Sequence, residues 1–165
     1  MTITLSGLFK RFIFNKGEML IYSSSDWSFS SVDAREITDI EYNLSHAKER
    51  LKNGDKLFII TENDELAHYS WVKFDEMDIT EASKKIKLKE GEACIYDCYT
   101  NKKFRGKGLY PSMLKYLKGY LKENGFNKVY IYVEANNIPS IKGIEKAGFI
   151  KERSIKYLAI FGVLI

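Results

Sequence analysis

Apolar residues recur along the chain at two spacings, which together predict an alternation of strands and helices. Apolar runs at residues 9–14 and 19–22 flank the polar stretch 15–18. This arrangement is typical of two strands joined by a turn, so we predict an N-terminal hairpin. A helix should follow, with Asp33 as its N-cap and Asn53-Gly54 at its end. Its apolar face would consist of Ile37, Ile40, Leu44, Ala47 and Leu51.

Three strands are predicted in the middle of the chain. Residues 56–61 and 66–74 are apolar runs joined by a polar turn at residues 62–65. Residues 94–100 form the third run. The stretch 75–90 between them is rich in charge, and we predict a loop there.

The second half has a clearer pattern. Pro111 suits the first turn of a helix, and Asn124 with the following glycine ends that helix. Residues 129–133 alternate as a strand, residues 140–146 predict a short helix, and the chain from 149 onward predicts one or two strands. The apolar face of the long helix consists of Leu109, Met113, Tyr116, Leu117, Tyr120 and Leu121.

This order of elements predicts one α/β domain over residues 1–165. A strand–helix–strand unit requires two parallel neighbours joined by a right-handed crossover. Strands joined by short turns require antiparallel pairs. We therefore expect a mixed, mostly antiparallel sheet with a central parallel strand–helix–strand unit.

Composition places the chain among ordinary globular proteins, with 45% hydrophobic and 29% charged residues. Charged residues interrupt the first twenty positions, and no apolar run approaches the ~20 residues of a membrane helix. We therefore expect a cytoplasmic protein without a membrane partner. Cys94 and Cys98 are expected to be reduced thiols on one face of a strand, with no metal and no disulfide.

The net charge of +4 is unevenly distributed along the chain. Residues 1–82 contain 9 Lys and Arg against 15 Asp and Glu, whereas residues 83–165 contain 17 against 7. The first part is thus −6 and the second +10. This asymmetry indicates that the second half meets an anion.

The most informative segment is the turn before the long helix. Amides at a helix start are free and carry partial positive charge, and glycines allow a ligand to approach the backbone. With Lys102 and Lys103 just before it, the turn is a candidate pyrophosphate site. Pro111 stands where a dinucleotide motif would have its third glycine. The turn reads Arg105-Gly106-Lys107-Gly108-Leu109-Tyr110.

A second group of residues follows the next strand at a fixed distance. With the turn, these residues resemble the two sequence motifs of the GNAT superfamily of N-acetyltransferases. Arg105 and Gly108 match the first motif, an Arg/Gln-x-x-Gly-x-Gly/Ala loop at a strand–helix junction. The second motif is matched by Asn137, Ser140, Glu145, Lys146, Gly148 and Phe149.

The resemblance implies a GNAT-like fold with acetyl-CoA bound as co-substrate between two strands that separate. Pantetheine would pair with the strand edge near Cys98, and pyrophosphate would meet the amides of the turn. Asn137 and Ser140 would flank the thioester. The implied cofactor-binding residues are Cys98, Thr100, Arg105, Gly106, Lys107, Gly108, Leu109, Tyr110, Asn137 and Ser140.

The implied reaction is direct attack of a primary amine on the thioester in a ternary complex. An alkyl ammonium has a pKa of about 10.4, so a base must take a proton at neutral pH. Asp97 is the first candidate, followed by Glu92 and Glu134. A backbone amide near Tyr99 would polarise the carbonyl oxygen. The candidate proton donors are Tyr99, Tyr96 and Tyr157, while His46 and His68 are expected to have structural roles.

Two positions depart from the family pattern. Tyr110 stands where Gly or Ala is usual, and Ile144 stands where many members have the tyrosine that protonates the leaving thiolate. The second departure leaves the general acid unassigned. It also leaves open a catalytically silent relative that only binds its ligand.

Other functions and partners stay open at this point. Tyr130 and Tyr132 on one strand, with the basic second half, are also compatible with an RNA- or single-strand-binding module, although the clustering of cations at a helix start argues against nucleic acid. The acidic first half favours a small-molecule or peptide amine acceptor of cationic character, such as a polyamine, amino sugar or lysine. The apolar end 159–165 is either an internal strand or part of a homodimer interface.

Overall fold

The computed structural model describes residues 10–27, 30–38, 42, 44 and 46–164. No helix in this part of the chain has the length and apolar character needed to cross a membrane. The strands are β1 (Lys10–Ser24), β2 (Ala34–Ile37), β3 (Lys56–Glu62), β4 (Glu65–Lys73), β5 (Glu76–Ile79), β6 (Lys84–Lys87), β7 (Glu92–Thr100), β8 (Lys128–Glu134) and β9 (Ile150–Leu164). The helices are α1 (Ala47–Lys52), α2 (Leu109–Glu123) and α3 (Ile138–Lys146).

Seven strands form one sheet in the order β2-β3-β4-β7-β8-β1-β9. The pair β7 and β8 is parallel and is joined by α2, whereas the other pairs of this sheet are antiparallel. This confirms the predicted mixed sheet with a central strand–helix–strand unit. The register of β7 with β8 covers residues 92–95 and 128–131. Beyond that point β7 continues along β4 and β8 along β1, which opens a cleft between them.

Helices α2 and α3 cover one face of this sheet. Met113 and Leu117 of α2 and Ile144 of α3 have no exposed surface and belong to the same apolar cluster as Ile95 of β7. Lys118 Nζ, itself buried, donates a hydrogen bond to the Ala147 carbonyl at 3.1 Å. That bond ties α2 to the end of α3, so the two helices reach the cleft as one unit.

The predicted N-terminal hairpin is wrong. Residues 10–24 form one continuous strand, and the polar stretch 15–18 stays within it, with Asn15 opposite Ala159 and Glu18 opposite Lys156. β9 is equally long and pairs with residues 10–23 of this strand. The distant pairing therefore prevails over the local turn preference of an asparagine and a glycine.

The predicted helix after Asp33 is also partly wrong. Residues 34–37 form β2, in which Ala34 lies opposite Ile60 and Ile37 opposite Leu57 of β3. The helix proper is Ala47–Lys52, and its end at Asn53 and the following glycine is confirmed. Ile40 lies outside the described residues. The helical spacing was defined by only a few apolar residues, and the pairing of residues 34–37 with β3 prevails over it.

The charged stretch 75–90 contains a β5–β6 hairpin where we predicted a loop. Met77 and Ile79 are buried, and between them Asp78 alternates outward. They pack with Met19, Ile21 and Cys94 on the face of the sheet opposite α2. The two-residue alternation was present in the sequence but was obscured by its many charges.

Cys94 and Cys98 lie on opposite faces of the sheet, which corrects the prediction of a shared face. Asp97 has φ +43°, and the register of β4 with β7 shifts at this point. The bulge inserts one residue, so the alternation of side chains reverses after it. Both thiols are free.

Among the described strands, β9 lies at the edge of the sheet, so an internal position for the apolar end is wrong. The homodimer remains a prediction.

Candidate active site

The opening between β7 and β8 forms a cleft of about 540 Å³, which we call the basic cleft. Nine of the ten cofactor-binding residues predicted from the sequence line it, and Tyr99 does so as well. The sequence reasoning missed Phe104, Pro111, Pro139 and Lys146 as lining residues. The full lining is Cys98, Tyr99, Thr100, Phe104, Arg105, Gly106, Gly108, Leu109, Tyr110, Pro111, Asn137, Pro139, Ser140 and Lys146.

Lys107 is the predicted residue that does not line the basic cleft. Its Nζ lies 2.5 Å from a carboxylate oxygen of Glu62, at the turn of the β3–β4 hairpin. Lys103 makes a similar pair with Glu65, at 2.7 Å. The hairpin thus holds two of the four cations of the turn, and the positive charge of the cleft comes from Arg105 and Lys146.

The backbone of the turn has the conformation that glycine favours. Gly106 and Gly108 have φ of +82° and +76°, and a Cβ added at either would meet nothing within 4 Å. Gly108 is the N-cap of α2, and the bond from Ser112 N to its carbonyl is 3.1 Å long. The amides of Leu109 and Tyr110 come before the helical ladder and are therefore available to an anion.

Tyr110 and Ser140 connect α2 to α3 across the cleft. Their hydroxyl oxygens are 3.2 Å apart, and Asn137 caps α3 by accepting a hydrogen bond from Ser140 N at 3.3 Å. Burial raises the pKa of the Tyr110 phenol well above its ordinary value. The phenol is therefore protonated at neutral pH.

A second cavity of about 320 Å³ lies on the other side of these residues, and we call it the acidic cavity. Its carboxylates are Glu81, Asp97 and Glu134. Cys98, Tyr110, Asn137 and Ser140 line both the acidic cavity and the basic cleft, so the two spaces meet there. The remaining lining residues are Met19, Tyr96, Ile131, Tyr132 and Val133.

The acidic surface continues outward from this cavity toward α1. An adjoining depression shares Glu81, Tyr96, Asp97 and Tyr132 with it. It adds three more carboxylates and two cations, which are Glu49, Asp55, Asp78, Arg50 and Lys73. Glu81 was missed from the sequence because it lies in the stretch 75–90 that we had assigned to a loop.

Asp97 projects from the β7 bulge toward α1. Its carboxylate accepts a hydrogen bond from Arg50 in a close ion pair. The Arg50 guanidinium also lies 5.1 Å from the ring centroid of Trp71 and 5.2 Å from that of Tyr96. Asp97 is thus held at the acidic cavity, and its role as base stays a prediction.

The other candidate carboxylates lie in different places. Glu134 lines the acidic cavity and accepts a hydrogen bond from the Tyr157 hydroxyl at 3.0 Å. Glu92 lies at the opposite end of β7, where it accepts from Lys89 N at 2.9 Å. The structure therefore brings Asp97 and Glu134 to the site and leaves Glu92 away from it.

The three predicted proton donors also lie in different places. Tyr96 donates to Asp55 in a short hydrogen bond, and Tyr157 donates to Glu134. Tyr99 is 43% exposed, with its ring 5.7 Å from that of Tyr69. Ile144 has no exposed surface and packs in the core. None of these four residues lines both the basic cleft and the acidic cavity. Tyr110 does line both.

His68 belongs to a buried polar chain between β4 and β7. Its Nδ1 lies 2.8 Å from Thr100 Oγ1 and its Nε2 lies 2.9 Å from Ser70 Oγ. Burial lowers the pKa of His68 to about 4 and raises that of the Cys98 thiol to about 12. Both are neutral at pH 7, so His68 is a connector between strands and Cys98 is not an activated nucleophile.

His68 should make the stability of the protein depend on pH. Its ordinary pKa is 6.5, so between pH 6.5 and about 4 the unfolded chain binds a proton that the folded chain does not. The free energy of unfolding should therefore fall by roughly 3 kcal/mol as pH drops through this window. Urea titrations of the wild type and of His68→Gln test this, because the variant should lose most of that slope. An unchanged slope in His68→Gln would contradict the prediction.

Comparison with known proteins identifies the family to which this fold belongs. A model described as the Acetyltransferase (GNAT) family matches residues 20–149, and the chain belongs to this family. Mycothiol acetyltransferase of Corynebacterium glutamicum (strain R) is 29% identical over 98 residues. These make up 59% of this chain and 29% of that relative, so the chain spans less than a third of the relative's length.

Solved structures give the same result for the fold. An acetyltransferase of the GNAT family from Colwellia psychrerythraea has a TM-score of 0.63 at 14% identity, covering 91% of this chain and 57% of its own. A GCN5-related N-acetyltransferase from Sphaerobacter thermophilus has a TM-score of 0.60 at 11% identity, covering 92% of this chain and 54% of its own. At these identities the likeness concerns the fold.

Proposed function

We propose that the chain transfers an acetyl group from acetyl-CoA to a primary amine by direct attack in a ternary complex. The observation that carries the proposal is the junction of two spaces of opposite charge where β7 and β8 separate. One space suits a phosphorylated donor and the other a protonated amine. A thioester held at the junction would be open to attack from the acidic side.

Acetyl-CoA would occupy the basic cleft. Its pyrophosphate would bind the amides of Leu109 and Tyr110 at the start of α2, with Arg105 and Lys146 adding charge. Its pantetheine would run along β7 near Cys98 and Thr100, where β8 no longer pairs with that strand. The thioester would then lie beside Asn137 and Ser140.

In the proposed reaction the amine enters through the acidic cavity and loses a proton to Asp97, with Glu134 as the second candidate. The neutral amine attacks the thioester carbonyl carbon, and a backbone amide near Tyr99 stabilises the oxyanion. Collapse of the tetrahedral intermediate breaks the carbon–sulfur bond while the nitrogen loses its second proton and the sulfur gains one. The products are the amide and coenzyme A.

The alternative of nucleic-acid binding has lost its main support. Tyr130 is 9% exposed, and the Tyr132 hydroxyl donates to the Asp78 carbonyl at 2.8 Å. The buried ring of Tyr130 is therefore a poor stacking platform for a base. The pairing of Lys103 and Lys107 with carboxylates removes cations as well.

Calorimetry with coenzyme A, followed by an assay of thiol release from acetyl-CoA with a panel of amines, tests the proposed function. Micromolar binding and amine-dependent thiol release are expected. Binding without transfer to any amine in the panel would favour the silent relative, and the absence of binding would contradict the proposal altogether.

The acidic cavity predicts a preference for amines that carry a second positive charge. A diaminoalkane should have a lower KM than an alkylamine of the same length, because its distal ammonium can lie near Glu81. Glu81→Gln should reduce this preference by roughly threefold to tenfold, which corresponds to about 1 kcal/mol for a charge pair near a surface. Glu123→Gln, at the far end of α2, makes the same change in net charge and should leave the preference intact. Equal KM values for both amines in the wild type would contradict a cationic acceptor.

A further inference from the structure

Tyr110 lies where the basic cleft and the acidic cavity meet. It lines the basic cleft and the acidic cavity, and so does Ser140, whose Oγ is 3.2 Å from the phenol oxygen. The His68 ring lies 5.9 Å from the Tyr110 ring on its other side. The phenol is thus held between β4 and α3, with its oxygen at the junction.

Gly143 makes room for this ring. A Cβ at position 143 would lie 2.5 Å from Cδ1 and 2.8 Å from Cε1 of Tyr110, which is too close for any side chain. The residue of α3 that faces the ring therefore has to be a glycine. Tyr110 and Gly143 are matched to each other.

Position 144 offers no proton donor to this junction. The side chain of Ile144 is fully buried between α2 and the sheet, so it offers no proton and cannot turn toward the thioester. Thiolate departure without a donor would be slower, since general acid help is typically worth ~10²–10⁴-fold. Within the described residues, Tyr110 and Ser140 are the hydroxyl-bearing side chains that line both spaces.

We propose that the Tyr110 hydroxyl donates the proton that coenzyme A needs as it leaves, in place of the tyrosine that position 144 lacks. This inference rests on the proposed function. The position of the phenol supports it, because Tyr110 lines both spaces with its oxygen 3.2 Å from Ser140 Oγ.

The proposed step conserves atoms and charge. The amine nitrogen forms a bond to the carbonyl carbon, and the carbon–sulfur bond breaks with its electron pair on sulfur. The phenol proton moves to that sulfur and yields the thiol of coenzyme A. The ammonium nitrogen loses two protons in all, one to Asp97 before attack and one as the tetrahedral intermediate collapses. The second restores the phenol through Ser140 and water as the phenol proton leaves, so no phenolate persists, and the first passes from Asp97 to solvent.

Tyr110→Phe tests the role while keeping the ring that packs against Gly143. We expect kcat with acetyl-CoA to fall by ~10²-fold or more. The dissociation constant of coenzyme A, measured by calorimetry, should change by less than about threefold, and the melting temperature should stay near that of the wild type. Tyr116→Phe, on the same helix with its ring against Phe58, is the matched control and should keep the wild-type kcat.

A titration of bound coenzyme A separates proton donation from a packing role. A phenol that donates to sulfur stabilises the thiolate, so the pKa of the bound thiol, followed by ultraviolet absorbance of the thiolate, should be higher in Tyr110→Phe than in the wild type. Tyr116→Phe should not raise it, because that ring lies against Phe58 and lines neither space. This readout needs only binding, so it holds even if the amine substrate is missing from the panel.

The results of these experiments distinguish the proposed role of Tyr110 from the proposed function. Wild-type kcat in Tyr110→Phe, or an unchanged thiol pKa, would overturn the role of Tyr110 and leave the proposed function standing. A loss of kcat in Tyr99→Phe alone would assign the proton to that residue. Failure of the wild type to bind coenzyme A would overturn both.

Discussion

Gly108→Val is expected to weaken coenzyme A binding at least tenfold, which corresponds to about 1.4 kcal/mol. Gly108 has φ +76°, a conformation that a β-branched residue adopts only with strain. Its Cβ would project into space that is open in the free protein and that a pyrophosphate would occupy at the start of α2. Calorimetry with coenzyme A measures the change directly.

Gly125→Val is the matched control for this variant. Gly125 follows the other end of α2, has φ +86° and likewise has no atom within 4 Å of an added Cβ. Both variants should therefore lose stability through backbone strain, by roughly 1–3 kcal/mol. Only Gly108→Val should lose affinity for coenzyme A. Equal affinity in the two variants would mean that the turn is not a phosphate site.

Most of the lining of the basic cleft was predictable because its residues are local in sequence. Glycines at 106 and 108, directly before a helix that starts at Leu109, define both the backbone conformation and the free amides. Asn137 and Ser140 stand at the start of the next helix, and the crossover brings the two helix starts together. One contact was not visible, because the pairing of Lys107 with Glu62 depends on how the β3–β4 hairpin lies across the turn.

The lining of the acidic cavity depends on contacts that are distant in sequence, and Glu81 was missed for that reason. Glu81 reaches the cavity only because Met77 and Ile79 bury the β5–β6 hairpin against the sheet. The bulge at Asp97 could not be predicted, because aspartate rarely adopts a positive φ and nothing else in the sequence marks the position. The bulge nevertheless determines which side chains of β7 face each space. The continuous β1 likewise required knowledge of β9, more than a hundred residues away.

The bulge gives a physical reason to expect that Asp97 is the base. It presents the carboxylate at the acidic cavity next to Cys98, which lines both spaces, so an amine beside Asp97 lies near the thioester. Asp97→Asn should lower kcat by ~10²-fold or more while changing the dissociation constant of acetyl-CoA much less. Steady-state kinetics and calorimetry measure the two effects separately.

The pH dependence of the Asp97→Asn variant should show what the carboxylate does. Below a pKa of about 10.4, each pH unit raises the neutral fraction of the amine about tenfold, so the variant should recover part of its rate at high pH. Arg50→Gln removes the ion-pair partner but keeps the carboxylate. If Asp97 only anchors Arg50 and α1, the two variants should lose the same activity, and neither loss should be relieved by high pH. If Asp97 is the base, Arg50→Gln should lose much less activity than Asp97→Asn. Wild-type turnover of Asp97→Asn at pH 7 would instead assign the role of base to Glu134.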